Sequence, residues 1–253
     1  CVLMPRMIEC YRHPNIELLT CAEVKKIEGK VGNFAVNVVR SPRYVREDKC
    51  VNCGVCVEKC PVSAPNEFEM ELKDRKAIYV PFPQAIPDIV TIDAKNCQHF
   101  KNGGCNICEE VCGAKAIDYE QKPEQLTLNV GAIIVATGFD LFNPSQIPAY
   151  GYGKFKNVLT AMEFERILSP FGPTGGRLLR PSDGKEPSSV AFILCVGSRD
   201  KRFYSYCSSI CCKYSLKMAV SIKQRDPQTE VYLFYTDLRA FGKGFQEFAN
   251  EAK

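Results

Sequence analysis

The sequence predicts an α/β protein that is interrupted by a small, cysteine-rich α+β module. In the second half of the chain, two short apolar runs typical of buried strands, residues 189–195 and 230–236, enclose a helical pattern over residues 207–223. That order is typical of a right-handed parallel βαβ unit. Two sets of cysteines with regular spacing lie within residues 41–122 and mark the module, which follows two predicted strands in residues 16–40.

The first set of cysteines has the spacing C-x2-C-x2-C-x3-C-P, the pattern of bacterial ferredoxins that bind cubane iron–sulfur clusters. It comprises Cys50, Cys53, Cys56 and Cys60, followed by Pro61. Three thiolates two residues apart suit one cluster because a tight turn aims each sulfur at a different iron. The fourth cysteine is carried away by a short helix, and in two-cluster ferredoxins it ligates the other cluster.

A second set, spaced C-x7-C-x2-C-x3-C, lies downstream and comprises Cys97, Cys105, Cys108 and Cys112. The two sets together predict two [4Fe–4S] clusters, and we expect the last cysteine of each set to cross to the other cluster. One cluster would be held by Cys50, Cys53, Cys56 and Cys112, and the other by Cys97, Cys105, Cys108 and Cys60.

Zinc sites and disulfides are the alternatives for these cysteines. Zinc usually takes two C-x2-C pairs, or a cysteine pair with a histidine pair, whereas three cysteines at consecutive x2 steps do not suit one tetrahedral ion. Disulfide scaffolds are usually shorter than about 100 residues and have an even cysteine count. This chain has 253 residues and 15 cysteines, so iron–sulfur clusters are favoured.

Composition excludes several classes of function. The net charge of +4 is small for this length and does not favour nucleic-acid binding. No apolar run approaches the ~20 residues of a membrane span. Abundant cysteine without a signal peptide favours the reducing cytoplasm. The chain begins at Cys1 rather than Met, which suggests a piece of a longer polypeptide.

Three further segments carry local predictions. The spacer 61–96 is either an elaborated hairpin or a docking loop. The apolar run 131–135 predicts a strand buried on both faces. It ends at Ala136-Thr137-Gly138, where small residues permit either a plain turn or close approach of a ligand. Residues 157–169 have helical periodicity. Cys10 and Cys21 are expected to be ordinary half-buried thiols.

A third set of cysteines, C-x11-C-x3-C-C, comprises Cys195, Cys207, Cys211 and Cys212. Cys195 is predicted to end a parallel strand, where a dinucleotide-binding unit carries G-x-G-x-x-G, but only Gly197 remains of that pattern. The other three are expected at the start of the next helix, whose positive end favours thiolates, with Cys207 and Cys211 on one face. The set is either a third cluster site or a group of structural thiols.

Lys213 and Lys217 lie four residues apart on the same predicted helix. They are either solvated lysines or groups that tune a nearby cluster or flavin, and we assign Lys217 to the cofactor site.

The sequence resembles the A-subunit of heterodisulfide reductase along nearly its whole length. The most specific runs are Cys195-Val-Gly-Ser-Arg-Asp200 and Tyr206-Cys-Ser-Ser-Ile-Cys-Cys212, which continues to Met218. Further matching runs are residues 5–9, 12–20, 31–34, 172–176 and 238–243. The resemblance implies a thioredoxin-reductase-like FAD/NAD(P)-type flavoprotein core, here residues 1–40 and 123–253, with a two-cluster ferredoxin-like domain inserted at residues 41–122.

The resemblance also implies FAD and several [4Fe–4S] clusters in an oxidoreductase complex of methanogenesis that uses flavin-based electron bifurcation. Partners would be the other subunits of the complex, a hydrogenase or formate dehydrogenase that supplies electrons, and ferredoxin. Ala136, Thr137, Gly138 and Phe139 match the family's second flavin-contacting turn, and the third cysteine set matches its non-ferredoxin cluster motif. The family's amino-terminal G-x-G-x-x-G is absent from this sequence.

Three other functions compete with this interpretation. The chain would otherwise be a flavin-free electron-wiring module, the related flavoprotein subunit of a quinone-interacting oxidoreductase, or a structural domain stabilised by metal.

Overall fold

The computed structural model describes residues 3–252 and divides the chain into two compact units, with the boundary between Thr137 and Gly138. The elements of the first unit are α1 (Met4–Arg12), β1 (Ala22–Lys30), β2 (Asn33–Arg40), α2 (Val55–Lys59), β3 (Ser63–Pro65), a 3-10 turn (Glu67–Glu69), β4 (Asp74–Lys76), β5 (Ile78–Tyr79), β6 (Thr91–Ile92), α3 (Gln98–Asn102), α4 (Ile107–Glu110) and β7 (Glu124–Val130). Those of the second are 3-10 turns at Pro144–Gln146 and Pro148–Tyr150, α5 (Ala161–Leu168), β8 (Ser189–Ile193), α6 (Cys211–Arg225), β9 (Glu230–Phe234) and α7 (Phe245–Glu251).

A three-stranded antiparallel sheet, in the order β1-β2-β7, frames the cysteine-rich segment. Strands β1 and β2 form the predicted hairpin, whose turn contains Gly32 at a φ of 85°, a conformation that glycine adopts without strain. Arg40 at the end of β2 pairs directly with Glu124 at the start of β7. Residues 41–122 therefore leave the sheet and return to it at neighbouring points. The division into a core of residues 1–40 and 123–253 and an inserted domain stays a prediction.

The cysteine-rich segment has its own small core. Strands β3 and β4 pair with each other, as do β5 and β6, so the spacer is an elaborated pair of hairpins. The core contains the buried residues Val45, Cys56, Ala77, Ile78, Ile89, Val90, Ile92, Cys97, Cys108, Ala116 and Ile117. Three of these are cysteines of the two ferredoxin-type sets, so the expected ligands form part of the hydrophobic core itself.

The second unit contains the predicted parallel strand pair. Strands β8 and β9 pair in parallel from Ser189↔Glu230 to Ile193↔Phe234, and α6 connects them along the chain. Helices α5 and α6 pack together through Phe164, Leu168, Met218 and the fully buried Ile222. In the part of the chain that the structure describes, no helix is both long and apolar enough to cross a membrane.

The predicted buried strand over residues 131–135 is wrong. Residues 132–143 have no regular structure, and Ile134 is 93% exposed. The reason is register: Val130, the last residue of β7, pairs with Phe34, and the β1–β2 turn follows at once. The backbone beyond Gly131, which accepts a hydrogen bond from Gly32, therefore has no partner strand.

Two smaller expectations also differ from the structure. Residues 4–12 form α1, which the sequence did not predict, and Cys10 and Cys21 are exposed rather than half-buried. The helix predicted over residues 157–169 is shorter, because Thr160 caps α5 at its amino end. The Thr160 hydroxyl accepts a hydrogen bond from the Glu163 backbone N–H, and the Glu163 carboxylate accepts one from the Thr160 N–H. This reciprocal pair is a capping box.

We expect Thr160→Ala to lower the free energy of unfolding of the second unit by about 1 kcal/mol, because the α5 cap would lose its side-chain acceptor. Urea denaturation followed by circular dichroism measures this. Thr160→Ser, which keeps the hydroxyl, is the matched control and should lie close to the parent. Equal stability of the alanine variant and the parent would contradict the role of the cap.

Candidate metal centres

The first cysteine set lies on a tight loop that leads into α2. Asn52 and Gly54 both have positive φ, 48° and 80°, so the backbone turns sharply on either side of Cys53. This loop leaves Cys53 exposed and buries Cys56, which lies in the short helix α2. The local sequence thus produces the change of direction that three ligands to one cluster require.

The Cys56 thiol lies among cysteines of both sets. Burial raises its pKa to about 11, and electrostatic interactions with Cys108, Cys50 and Cys112 add to the shift. Cys50 belongs to its own run, whereas Cys112 is the residue expected to cross over. Four thiols in such proximity repel one another once they ionise, and bound metal would relieve that repulsion.

The second set is arranged around a cavity. Cys97, Cys105 and Cys108 line it together with Cys60, the last cysteine of the first set. Most of the remaining lining is apolar and includes Val62, Ala77 and Ile78. Interactions of Cys108 with Cys97 and Cys105 also contribute to its raised pKa, of which burial is the main cause. The four cysteines of the expected crossed set therefore converge on one cavity, and their chemistry fits a cubane cluster.

Polar groups next to these thiols were not identified from the sequence. The hydroxyl of Tyr119 lies 3.0 Å from Cys108 Sγ, and burial together with Cys108 raises the pKa of that tyrosine. The ring of His99 stacks on the Tyr119 ring with centroids 3.6 Å apart. The backbone N–H of Ala116 donates to Cys112 Sγ over 3.3 Å. In the sequence, the only indication of these contacts is His99, which lies between the expected ligands Cys97 and Cys105.

The third set follows strand β8. Cys195 has a φ of 62°, a conformation that is costly for a residue with a side chain, and Arg199 and Ser209 share it at 57° and 64°. Strained backbone of this kind clusters at functional sites. It lets the chain turn immediately after β8, so that the Cys195 side chain reaches the start of α6.

The prediction that Cys207 lies on α6 is wrong. The helix begins at Cys211, and Cys207 precedes it in a turn where the Ser209 N–H donates to its sulfur over 3.3 Å. Cys207 and Cys211 therefore do not share a helix face. Cys211 and Cys212 are the first two residues of α6, so their side chains leave the helix about 100° apart.

The structure nevertheless brings the four cysteines of the third set together. Cys211 and Cys212 lie in one small buried cluster with Leu194, and Cys195 packs against that cluster. Cys207 is close enough to contribute to the raised pKa of Cys212. Cys211 and Cys212 are buried, whereas Cys195 and Cys207 are half-buried.

Donors around the third set stabilise the thiolate form selectively. Burial acts to raise the pKa of Cys211, but hydrogen bonds, first from the Ser208 hydroxyl and then from the Cys195 backbone, outweigh it and lower that pKa. For Cys212, burial dominates and raises the pKa despite a 3.3 Å hydrogen bond from the Arg239 N–H. The positive end of the α6 dipole also favours anionic sulfur at these two positions.

Two arginines that the sequence did not assign to the site flank the third set. Arg199 interacts with Cys195, and Arg239 interacts with Cys207. Asp237 pairs with both guanidinium groups, 2.9 Å from Arg239 Nε, and holds them next to the sulfurs. The arrangement offsets negative charge on the thiolates.

The expected flavin residues form no site of their own. Ala136, Thr137 and Gly138 lie in irregular chain, and Phe139 is 68% exposed. Gly138 has a φ of 79°, a conformation that glycine adopts without strain. Lys217 pairs with Glu165 over 2.6 Å, and the ammonium of Lys213 lies over the rings of Phe241 and Phe245. These residues alone do not fit a flavin pocket.

The first cysteine set belongs to a known type of cluster-binding domain. A family model described as "4Fe-4S binding domain" matches residues 43–66, which include the whole first set. Within residues 3–252, no three His, Cys, Asp or Glu side chains are arranged to hold a single metal ion. With the elements described above, the match makes the chain a mixed α/β protein with a ferredoxin-like [4Fe–4S] domain.

Comparison with known proteins identifies the relatives of the whole chain. It is 51% identical over 253 residues to the iron–sulfur A-subunit of CoB–CoM heterodisulfide reductase from Methanocaldococcus jannaschii. It is 49% identical to the A-subunit of the H(2)/formate:CoB-CoM heterodisulfide,ferredoxin reductase of Methanococcus maripaludis, and 47% identical over 250 residues to that of the ferredoxin:CoB-CoM heterodisulfide reductase of Methanosarcina mazei. These matches cover 98–100% of the chain and 31–38% of the relatives.

The resemblance found in the sequence is thereby confirmed: the chain is homologous, over its whole length, to a segment of the A-subunit of heterodisulfide reductase. It spans about 38% of the length of the Methanocaldococcus relative.

We expect Cys60→Ala to perturb the cluster of the downstream set, because Cys60 lies in the cavity with Cys97, Cys105 and Cys108. Electron paramagnetic resonance of the reduced protein, with iron analysis, measures the change. Cys112→Ala is the reciprocal variant and should affect the other cluster, while Cys21→Ala, at an exposed cysteine outside the sets, should affect neither. A change confined to the upstream cluster in Cys60→Ala would show that the ligands do not cross.

Proposed function

We propose that this chain is the iron–sulfur-carrying part of an oxidoreductase subunit of the heterodisulfide reductase type, in which it relays single electrons between partner redox sites. A [4Fe–4S] cluster supplies reversible one-electron chemistry. The residues of this chain position such clusters, exclude water from them and adjust the charge around their sulfurs.

The observation that carries the proposal is the cavity that both cysteine sets share. Cys60 reaches it from the end of α2, while Cys97, Cys105 and Cys108 reach it from the second set. Ligands exchanged between two sets keep both clusters within one small core. Two adjacent clusters in a common core suit electron transfer between them, because electrons pass efficiently only between centres that lie close together.

The third set supports a further cluster site. Its four thiols converge at the amino end of α6, with one lowered pKa at Cys211 and two arginines at the margin. Hydrogen-bond donors and arginine side chains around a sulfur stabilise a thiolate, which a cysteine with only a structural role does not form. We therefore include Cys195, Cys207, Cys211 and Cys212 among the ligands, in addition to the eight cysteines of the ferredoxin-like domain.

The names of the relatives suggest the partners. These names include hydrogen, formate, ferredoxin and the CoB–CoM heterodisulfide. By extension, we propose that the longer protein works with other subunits of such a complex, takes electrons from a hydrogenase or formate dehydrogenase component, and takes part in electron bifurcation with ferredoxin. We place it in the cytoplasm, in keeping with the free cysteines in the described chain.

We assign flavin binding to the longer protein rather than to this segment by itself. The parallel β8–β9 pair with α6, and the sheet that brackets residues 41–122, are consistent with a thioredoxin-reductase-like core carrying an inserted domain. Gly138 has a positive φ, which glycine adopts without strain. The electron relay within this chain does not depend on the flavin residues.

The competing functions differ in what they predict. In the full-length protein, a flavin-free wiring module gives reversible reduction without a flavin absorption band, and a structural metal domain gives iron without reversible reduction. A quinone-interacting subunit would transfer electrons to a quinone analogue. Anaerobic purification, absorption spectra and a redox titration of the same sample distinguish these outcomes.

We expect the chain to bind about twelve irons, four for each of three cubane clusters, and replacement of Cys211 and Cys212 by Ala to leave about eight. The loss follows from the burial of both thiols among the other members of the third set. Iron and acid-labile sulfide analysis measures it.

The control replaces Cys10 and Cys21, the exposed cysteines outside the sets, by Ala and should keep the full iron content. Unchanged iron in the Cys211/Cys212 variant would leave the third set as plain thiols.

We also expect the turn after β8 to bind NAD(P)H weakly or not at all. The ring of Phe142 packs so closely against Gly197 that no Cβ would fit there, and this aromatic side chain occupies the space next to the backbone that a pyrophosphate would need. Titration with NADH and NADPH, followed by fluorescence, measures the affinity. Tight binding with hydride transfer to a flavin would contradict this expectation.

A further inference from the structure

We propose that Tyr119, braced by His99, is a positioning residue that raises the reduction potential of the downstream cluster through a hydrogen bond to the Cys108 sulfur. This inference rests on the proposed function, because it takes Cys108 as a ligand of the cluster held with Cys97, Cys105 and Cys60.

The hydrogen bond has a defined direction once Cys108 binds iron. The Tyr119 hydroxyl lies 3.0 Å from Cys108 Sγ, at the edge of the cysteine-rich core. A ligating cysteine is a thiolate and carries no proton, so it can only accept. Tyr119 is therefore the donor. No bond is broken and no proton is transferred when the cluster gains an electron.

His99 fixes the tyrosine in place. Its ring stacks on Tyr119 at 3.6 Å with an interplanar angle of 10°. Its Nδ1 lies 3.2 Å from the carbonyl oxygen of Cys105 and 2.8 Å from Asn106 Oδ1. Since a carbonyl only accepts, Nδ1 carries a hydrogen and donates. One histidine thus connects the backbone of one expected ligand, Cys105, with the donor to another, Cys108.

The first set has a different arrangement. Cys56 occupies the position in the first set that corresponds to Cys108, and within the described chain no tyrosine is among the groups that act on its thiol. The two clusters would therefore differ in a side-chain donor even though their cysteine spacings are alike. Hydrogen bonds to sulfur stabilise the more negative, reduced state, so the donor should make the potential of the downstream cluster less negative than it would otherwise be.

Tyr119→Phe tests the proposal because it removes only the hydroxyl. We expect the full iron content, and a redox titration followed by electron paramagnetic resonance in which one cluster titrates at a more negative potential. Tyr44→Phe is the matched control: its ring packs in the same core, 4.4 Å from Phe100, and no contact between its hydroxyl and a cysteine sulfur is seen in the described residues. Its potentials should equal those of the parent.

A second substitution acts in the opposite direction and preserves packing. Incorporation of 3,5-difluorotyrosine at position 119 gives a more acidic, stronger donor, so the same cluster should titrate at a less negative potential. His99→Ala should shift it in the direction of Tyr119→Phe, because the tyrosine loses its stacking partner. This series separates an effect of the hydrogen bond from general loosening of the core.

Different experimental outcomes would overturn the proposed function and the role of Tyr119. Parent protein that binds no [4Fe–4S] clusters at the ferredoxin-type cysteines would overturn the proposed function. Fully loaded protein whose potentials are the same in the parent, the phenylalanine variant and the fluorinated variant would overturn the role of Tyr119 alone. Loss of iron from Tyr119→Phe with unchanged potentials in the fluorinated variant would likewise reject tuning and assign the tyrosine to structure.

Discussion

The close placement of several cysteine sulfurs in a small, buried core is the constraint on which the cysteine-rich unit depends. Cys56, Cys97 and Cys108 belong to the same core as Val45, Ile78 and the other apolar residues of that segment. Burial raises the pKa of Cys56 to about 11, and neighbouring thiols add to this. Without metal, the core favours neutral thiols, whereas with metal it encloses thiolates whose charge is compensated. Cluster binding and folding of this segment are therefore linked.

The first unit and the second unit meet the requirement for converging thiolates by different means. In the first unit, short helices and hairpins surround the sulfurs with apolar side chains, and the packing of these side chains fixes the positions of the sulfurs. In the second, the amino end of α6, strained residues such as Cys195, and the paired Arg199, Asp237 and Arg239 supply charge and donors. The third set thus combines burial of Cys211 and Cys212 with charged groups and hydrogen-bond donors around the sulfurs.

Groups outside the ligand sets distinguish the sites from one another. Tyr119 contacts Cys108, Ala116 contacts Cys112, and Arg239 contacts Cys212 through its backbone. Such contacts orient the ligands and set how much negative charge each sulfur tolerates. Chemically similar clusters in one chain can in this way occupy different positions on an electron path, without any difference in cysteine spacing.

The sequence by itself determined the cysteine sets, the β1–β2 hairpin, and the strand–helix–strand order of the second unit, because each depends on spacing or periodicity within a short stretch. It did not determine where a strand finds a partner. The run after Val130 is apolar enough for a buried strand, yet its neighbour ends at the β1–β2 turn. Nor did it place Cys207 before α6 or Tyr119 against Cys108, since those depend on backbone turns and on contacts between distant residues. Convergence of Cys60 with the second set was expected from the motif, but only the tertiary structure brought the four side chains to one cavity, because that requires the packing of a whole core around them.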